Sequence, residues 1–294
     1  MTSAVEREIP TQPEMWRRAA GVAATSRPAL PPRGALAAVV GCGTSWFVAQ
    51  AWACLREAAG VGVTDAFAAS EAPTTRAYDG VVAVSRSGTT TEVARLLRSL
   101  PEGTRTTAIT AVADSPVAKE ATEVILLDFA DERSVVQTRF ATTALALLRA
   151  SLGEDLDEVA DDCVEALRRP LPQDLPSFRH FVFLGHGWTV GLANEAALKF
   201  REAAQAWTES YPAMEYRHGP ISVAGRESLV WSLGGVGEDV LGDVVTTGAT
   251  VVSSDLDPMA ELVVAQRAAI ALATSRGLDP DRPRHLTRSV ILPE

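Results

Sequence analysis

The chain has 294 residues, enough for one or two globular units. Its 27 basic and 37 acidic residues give a net charge of −10 with no basic run, which argues against a nucleic-acid or anionic-lipid binder. No apolar stretch approaches the roughly 20 residues of a membrane span. Cys42, Cys54 and Cys163 are too few and too scattered for a disulfide framework or a zinc knuckle. Residues 1–10 carry Glu6, Arg7 and Glu8 where a signal peptide needs an apolar core, so a cytoplasmic location is expected. Only Lys119 and Lys199 among the basic residues are lysines, which leaves few amines for Schiff-base chemistry.

In chain order, residues 12–24 read as a helix with Pro13 in its first turn, and the proline-rich stretch 26–34 breaks it. A strand–helix alternation follows. Residues 35–40 form a buried strand, 45–59 a helix, 62–68 a weaker strand, 80–85 a buried strand and 91–100 a helix. Two more strands lie at 105–110 and 123–127, then a helix at 140–150. The acidic and then proline-punctuated stretch 151–179 predicts a linking helix and a boundary near 170. The pattern restarts with a strand at 181–184, a long helix at 189–207, strands at 229–233 and 249–253, and a final helix at 258–276. Residues 35–45 and 180–191 share one layout, strand then Gly-x-Gly then helix. The expected organisation is an N-terminal helix and linker (1–34), a first lobe (35–170) and a second, shortened lobe (171–294). Each lobe is a parallel sheet covered by helices on both faces.

Gly41-Cys42-Gly43-Thr44-Ser45 lies between a strand and a helix, where backbone amides and the helix dipole receive an anion. Trp46 stands where a dinucleotide fingerprint needs its third glycine, and no Gly-Lys-Ser/Thr of a P-loop follows. Taken alone, this loop is equally a tight turn that binds nothing. The second loop, Ser85-Arg86-Ser87-Gly88-Thr89-Thr90-Thr91, has five hydroxyl side chains in seven positions. Hydroxyls and helix N-terminal amides satisfy phosphate oxygens without lysine, although crowded hydroxyls also serve as N-caps. Two such loops at the carboxyl edge of one parallel sheet favour a phosphate site.

Glu195, Lys199 and Glu202 fall at i, i+4 and i+7, so one helix face carries acid, base, acid. An exposed salt-bridge stripe is the ordinary reading of that spacing. The small and apolar neighbours Ala196, Ala197, Leu198, Ala203 and Ala204 point instead to a mostly buried helix, where carboxylates serve in proton transfer. Further on, His218-Gly219-Pro220 is a sharp turn that projects an imidazole. No metal-ligand spacing and no Gly-x-Ser-x-Gly elbow is present, and no cofactor is expected.

Six segments resemble the sugar isomerase (SIS) domain family: VVGCGTSWF (39–47), VSRSGTTTEV (84–93), DERSVVQTRFAT (131–142), LGHG (184–187), the run 193–220 and DRPRHLTRSV (281–290). They are similar to the isomerase half of glucosamine-6-phosphate synthase and to stand-alone double-SIS isomerases and deaminases. The resemblance implies two flavodoxin-like lobes. It also implies a sugar phosphate held by Gly43, Thr44, Ser45, Ser85, Ser87 and Thr90, with Arg86 beside them and Val135 lining the sugar through its backbone. Glu202 matches the base that moves a proton between C1 and C2, accompanied by Lys199 and Glu195. His218 matches the ring-opening histidine, which the family supplies across a homodimer interface. Three departures accompany the likeness. A glutaminase portion is missing, Arg288 stands where the synthase has its Schiff-base lysine, and Gln137 replaces a small residue.

Removal of the C2 proton by Glu202 gives an enediol or enolamine with three exits. Reprotonation at C1 gives an isomerase, hydrolysis of the imine a deaminase, and expulsion of the C3 oxygen a dehydratase. The run Glu132–Val135 favours an amino-sugar 6-phosphate isomerase/deaminase. The alternatives are an N-acetylglucosamine-6-phosphate dehydratase and, in another class, a non-catalytic sugar-phosphate sensor.

Overall fold

The computed structural model describes residues 2–292 and contains two parallel sheets in two compact units. The first-sheet unit comprises residues 14–133, 137–157 and Thr287 onward; the second-sheet unit comprises the chain up to Pro13, Ser134–Val136 and Glu158–Leu286. The sequence predicts contiguous lobes divided at 170. In the structure the division interleaves, because the first residues and 158–170 pack with the second sheet while the last residues pack with the first.

The first sheet has five parallel strands: β1 (Ala37–Gly41), β2 (Thr64–Ala68), β3 (Gly80–Val84), β4 (Thr106–Thr110) and β5 (Glu123–Leu126), in the order β2-β1-β3-β4-β5. β1, β3 and β4 are buried along their whole length, which is why they read as unbroken apolar or small runs. Helices α4 (Thr91–Ser99) and α5 (Pro116–Glu120) belong to one core, in which Val93, Leu96, Leu97 and Val117 meet Val40, Val81, Ala83 and Ala108. Helix α3 (Thr44–Ala58) follows β1 and packs on α6 (Arg139–Ser151). Helix α2 (Gln12–Ser26) is tied to α6 by the Trp16 indole N–H, which donates to Thr142 Oγ1 at 2.9 Å. The strand order reverses between β1 and β3, the switch point at which such sheets open a crevice for ligands.

The second sheet has four parallel strands, one fewer than the first, as a shortened lobe requires. They are β6 (His180–Gly185), β7 (Trp207–Pro212), β8 (Ser228–Leu233) and β9 (Thr250–Val252), ordered β7-β6-β8-β9. Helices α8 (Thr189–Ala204) and α10 (Pro258–Ser275) pack together, and Phe200 of α8 stacks into Phe181, Phe183 and Trp231. A separate cluster gathers Tyr216, Val240 and Val244 against Val182, Leu184 and Val230, with α9 (Glu238–Thr246) contributing the two later valines. Helices α1 (Ala4–Glu8) and α7 (Asp157–Ala166) complete the main helices.

Several local expectations change, among them the short helix α5, which the sequence reading lacks. The helix predicted over 189–207 ends at Ala204, because Gln205 turns left-handed (φ 51°) and the chain re-enters the sheet as β7. The sequence reading also lacks α1, fixed by a Ser3–Glu6 capping box, and α9. Among the described residues no helix is long and apolar enough to cross a membrane.

Candidate active site

In the first-sheet unit both glycine-rich loops leave the carboxyl ends of adjacent strands, β1 and β3. Gly41 is required sterically, since a Cβ there would sit 2.6 Å from the Ser45 carbonyl carbon. Gly43, at φ 54°, turns the chain into α3. Thr44 and Ser45 open that helix and are buried at its positive end. Cys42 lies in the same turn, and burial, helped by Glu92, pushes its thiol up to about 11, so it stays protonated near neutrality.

The loop after β3 is more tightly specified. Ser85 is buried, and its hydroxyl has no partner. Ser87 Oγ accepts from the Thr89 amide (3.2 Å) and the Thr89 hydroxyl (2.9 Å). Gly88, at φ 62°, leaves no room for a Cβ, which would collide with the side chain of Ser115. Thr90 occupies the N-cap position of α4 without making a capping bond through its side chain. The C-terminal segment crosses this loop: the Ser289 and Thr89 hydroxyls are hydrogen-bonded at 2.8 Å, and the Val290 carbonyl accepts from the Thr91 amide at 3.2 Å.

Arg86 departs from the role that the resemblance implies. Its side chain is turned inward, 1% exposed, with Nη1 3.6 Å from Glu132 Oε1 and Nη2 donating to the Arg288 carbonyl at 3.0 Å. Glu132 is equally buried and accepts from the amides of Thr138, Arg139 and Phe140 at the start of α6. It is a residue holding the loop that sequence reasoning did not single out; the signal available was an acid seven residues before a helix. Arg288 donates to the Glu132 carbonyl (2.6 Å) and pairs with Asp131 (2.5 Å). Serine and threonine groups therefore line the loops, while Arg86, Glu132 and Arg288 hold them in shape.

In the second-sheet unit α8 carries the acid–base–acid run on one face. Lys199 is fully buried, with Nζ 3.3 Å from Glu195 Oε1 and 2.6 Å from Glu202 Oε2. Burial alone would lower the Lys199 pKa, but the two carboxylates outweigh it and raise the value above the usual 10.5. Lys199 is therefore an ammonium, unfit as a neutral amine nucleophile. Glu195 is closed off (2% exposed), whereas Glu202 keeps 18% of its side chain accessible. Glu202 is thus the carboxylate able to meet a substrate, and Lys199 orients it through a charge-assisted hydrogen bond. His218 is exposed at the end of a short 3₁₀ turn (Glu215–His218), next to Gly219 at φ 136°. Val135 is half-buried within Ser134–Val136, the segment that groups with the second sheet.

The second sheet repeats the steric device without the chemistry. A Cβ on Gly185 would sit 2.5 Å from the Thr189 carbonyl carbon, matching Gly41 and Ser45. The loop after β8, however, reads Gly234-Gly235-Val236-Gly237-Glu238-Asp239, with no hydroxyl and two acids at the start of α9. The hydroxyl-rich loop is a feature of the first sheet. Among the described residues no group of three or more His, Cys, Asp or Glu is placed to hold a metal ion.

Comparison with known proteins agrees with this fold. Residues 37–152 match the SIS domain family. The glutamine–fructose-6-phosphate aminotransferase of Sulfolobus acidocaldarius is 28% identical over 291 residues, covering 86% of this chain and 49% of that protein. The chain thus spans about half the length of this relative. The solved structure of glucosamine-6-phosphate deaminase from Thermotoga maritima superposes with a TM-score of 0.85 at 26% identity, covering 99% of this chain and all of that one. The C-terminal domain of glucosamine-fructose-6-phosphate aminotransferase from Francisella tularensis gives 0.83 at 20% identity, covering 96% and 99%, a likeness of fold. Residues 37–152 are therefore a SIS domain, and the whole chain has the two-sheet α/β fold of the phosphosugar isomerases and deaminases.

Proposed function

We propose that the chain is an amino-sugar 6-phosphate isomerase/deaminase of the glucosamine-6-phosphate type. The observation that carries this reading is the pairing of Glu202 with a fully buried Lys199 on α8, which leaves one carboxylate both fixed and accessible. The hydroxyls of Ser45, Ser85, Ser87 and Thr90 and the first amides of α3 and α4 hold the phosphate. His218 opens the sugar ring, delivered across a homodimer interface. Glu202 takes the C2 proton of the open-chain aldose as the C2–H electrons form C1=C2 and the C1=O π electrons move to O1, which takes up a proton, giving the enolamine. Protonation at C1, with the nitrogen lone pair forming C2=N, gives an iminium; water adds at C2 and loses a proton, and the nitrogen leaves as ammonia as the C2 carbonyl of the ketose phosphate forms. Each step conserves charge without a cofactor. A cytoplasmic location follows from the metabolic role.

A second reading is supported by Arg288. Its guanidinium is engaged by Asp131 and the Glu132 carbonyl and cannot form an imine, which leaves elimination untouched. On an N-acetylated sugar the same enolate expels the C3 oxygen, making the chain a dehydratase. Glu202 and His218 together argue against a sensor without catalysis. Proton NMR in heavy water with glucosamine 6-phosphate, and separately with N-acetylglucosamine 6-phosphate, decides. Ammonia and ketose phosphate from the free amine support the deaminase, and a vinyl signal from the acetylated sugar supports the dehydratase. Absence of both, and of C2 deuterium exchange, overturns the assignment.

A further inference from the structure

At the opposite edge of the first sheet from the phosphate loops lies a cavity of about 620 Å³, within the first-sheet unit alone. That is inside the roughly 300–1,000 Å³ usual for small-molecule sites. Its wall includes four arginines: Arg27 after α2, Arg33 just before β1, Arg56 in the last turn of α3 and Arg105 just before β4. None has a carboxylate partner among the described residues. Arg27 donates to the Ser151 carbonyl, Arg33 to that of Gly60, Arg105 to that of Pro28, and Arg56 to the carbonyls of Pro32 and Ala35 and to the Thr64 hydroxyl. The acid whose charge acts on Arg56 is Glu57, and its carboxylate accepts from the Thr64 amide and is absent from the wall. Arg56 is 1% exposed and taken up by those acceptors, so Arg27, Arg33 and Arg105 are the guanidinium groups that the cavity offers a ligand, against the grain of a chain with a net charge of −10.

A second observation is independent of charge. Trp52 lines the same cavity, is 1% exposed, and its indole N–H meets no acceptor. A buried unmet donor is destabilising unless a ligand or water satisfies it. Apart from Ser151 the rest of the wall is apolar, with Leu30, Pro31 and Val61. The geometry points to a binding site for an organic polyphosphate, a small molecule with two or more phosphate groups on an apolar or ring-bearing body. Guanidinium forks match phosphate oxygens, more than one negative charge is needed to balance Arg27, Arg33 and Arg105, and the mainly apolar remainder of the wall accommodates the body. α3 spans both places, its first turn carrying Thr44 and Ser45 of the phosphate loop and its last turn Arg56 of the cavity. This site does not depend on the function proposed above.

ADP, AMP and inorganic phosphate serve as probes, titrated calorimetrically at low salt into the full chain. ADP is expected to bind at one site per chain, more tightly than AMP, with phosphate weakest. Arg27→Glu/Arg33→Glu, both exposed positions that bond only to backbone carbonyls, is expected to weaken ADP by about tenfold or more, while Ser85→Ala/Ser87→Ala leaves it unchanged. Phenylglyoxal footprinting of the unmutated protein needs no variant. ADP should protect Arg27, Arg33 and Arg105 from modification, and glucosamine 6-phosphate should not. Absence of ADP binding, retention of binding in the arginine variant, loss of binding in the serine variant, or unprotected arginines would each overturn the proposal.

Discussion

Arg86 Nη1 lies 3.6 Å from Glu132 Oε1, and both side chains are shut off from water. The residue expected beside a phosphate is instead the cation of a buried ion pair between the loop after β3 and the start of α6. Glu132→Gln removes the charge that faces Arg86 and weakens the bonds to three α6 amides. Breaking one partner of a buried pair costs roughly 3–5 kcal/mol. Urea denaturation should therefore show a large loss of stability, with weaker sugar-phosphate binding in the fraction that folds. A change below about 1 kcal/mol would mean that the pair is not a structural hub.

Glu202→Gln should lower C2 proton exchange by about 10²–10⁴, the usual contribution of a positioned general base, with little change in phosphate affinity. Deuterium incorporation followed by NMR separates the two effects. An unchanged exchange rate would remove Glu202 as the base.

Lys199→Met leaves the Glu195 carboxylate buried without its ammonium, at roughly 3–5 kcal/mol. Adding Glu195→Gln should recover part of that loss. The pH dependence has a definite sign. The folded Lys199 pKa lies above its ordinary 10.5, so its contribution to stability is complete below that value and disappears as pH rises through the folded pKa. Melting curves from pH 6 to 9 should carry no trace of Lys199.

Gly88→Ala and Gly34→Ala form a controlled pair. Both glycines have positive φ (62° and 85°), but a Cβ at Gly34 meets nothing within 4 Å whereas at Gly88 it strikes Ser115. The Gly34 change should show only the backbone penalty of about 1–2 kcal/mol. The Gly88 change should exceed it and also abolish phosphate binding. Equal effects on stability and binding would show that the loop tolerates displacement.

Tyr216 is fully buried with an unpartnered hydroxyl, and burial, reinforced by Glu209 and Tyr211, pushes its pKa to about 12. The neutral phenol is favoured in the folded state, so this contribution to stability is present below about pH 10 and fades between pH 10 and 12. Tyr216→Phe removes a buried group that makes no bond and should be neutral or stabilising by up to about 1 kcal/mol at pH 7. It should also flatten the alkaline loss of stability, as read by thermal melts at pH 8 and 11.

The strands of the first sheet and their loops were legible because each signal is local: unbroken apolar runs such as Val81–Val84, and glycine where strand meets helix. The same held for the face of α8, since i, i+4, i+7 spacing is fixed by helix geometry. The turn at Gln205 was not legible, because a left-handed glutamine leaves no glycine to mark it and Trp207–Pro212 is too polar for a buried strand. α9 was hidden by Gly242 inside it. Arg86 escaped for a different reason: its partner lies 46 positions away, and no local pattern announces a pairing across that distance.

Gly41 and Gly185 make the same close approach, yet only the first has a hydroxyl-rich loop on the neighbouring strand. Packing demand and ligand demand on a residue are thus separable, and the second sheet is a natural control for the first. The duplicate is a vacant scaffold: placing Ser-x-Ser-Gly-Thr-Thr after β8 and removing Glu238 and Asp239 would ask whether a binding function can be installed on a backbone that already has the required bend.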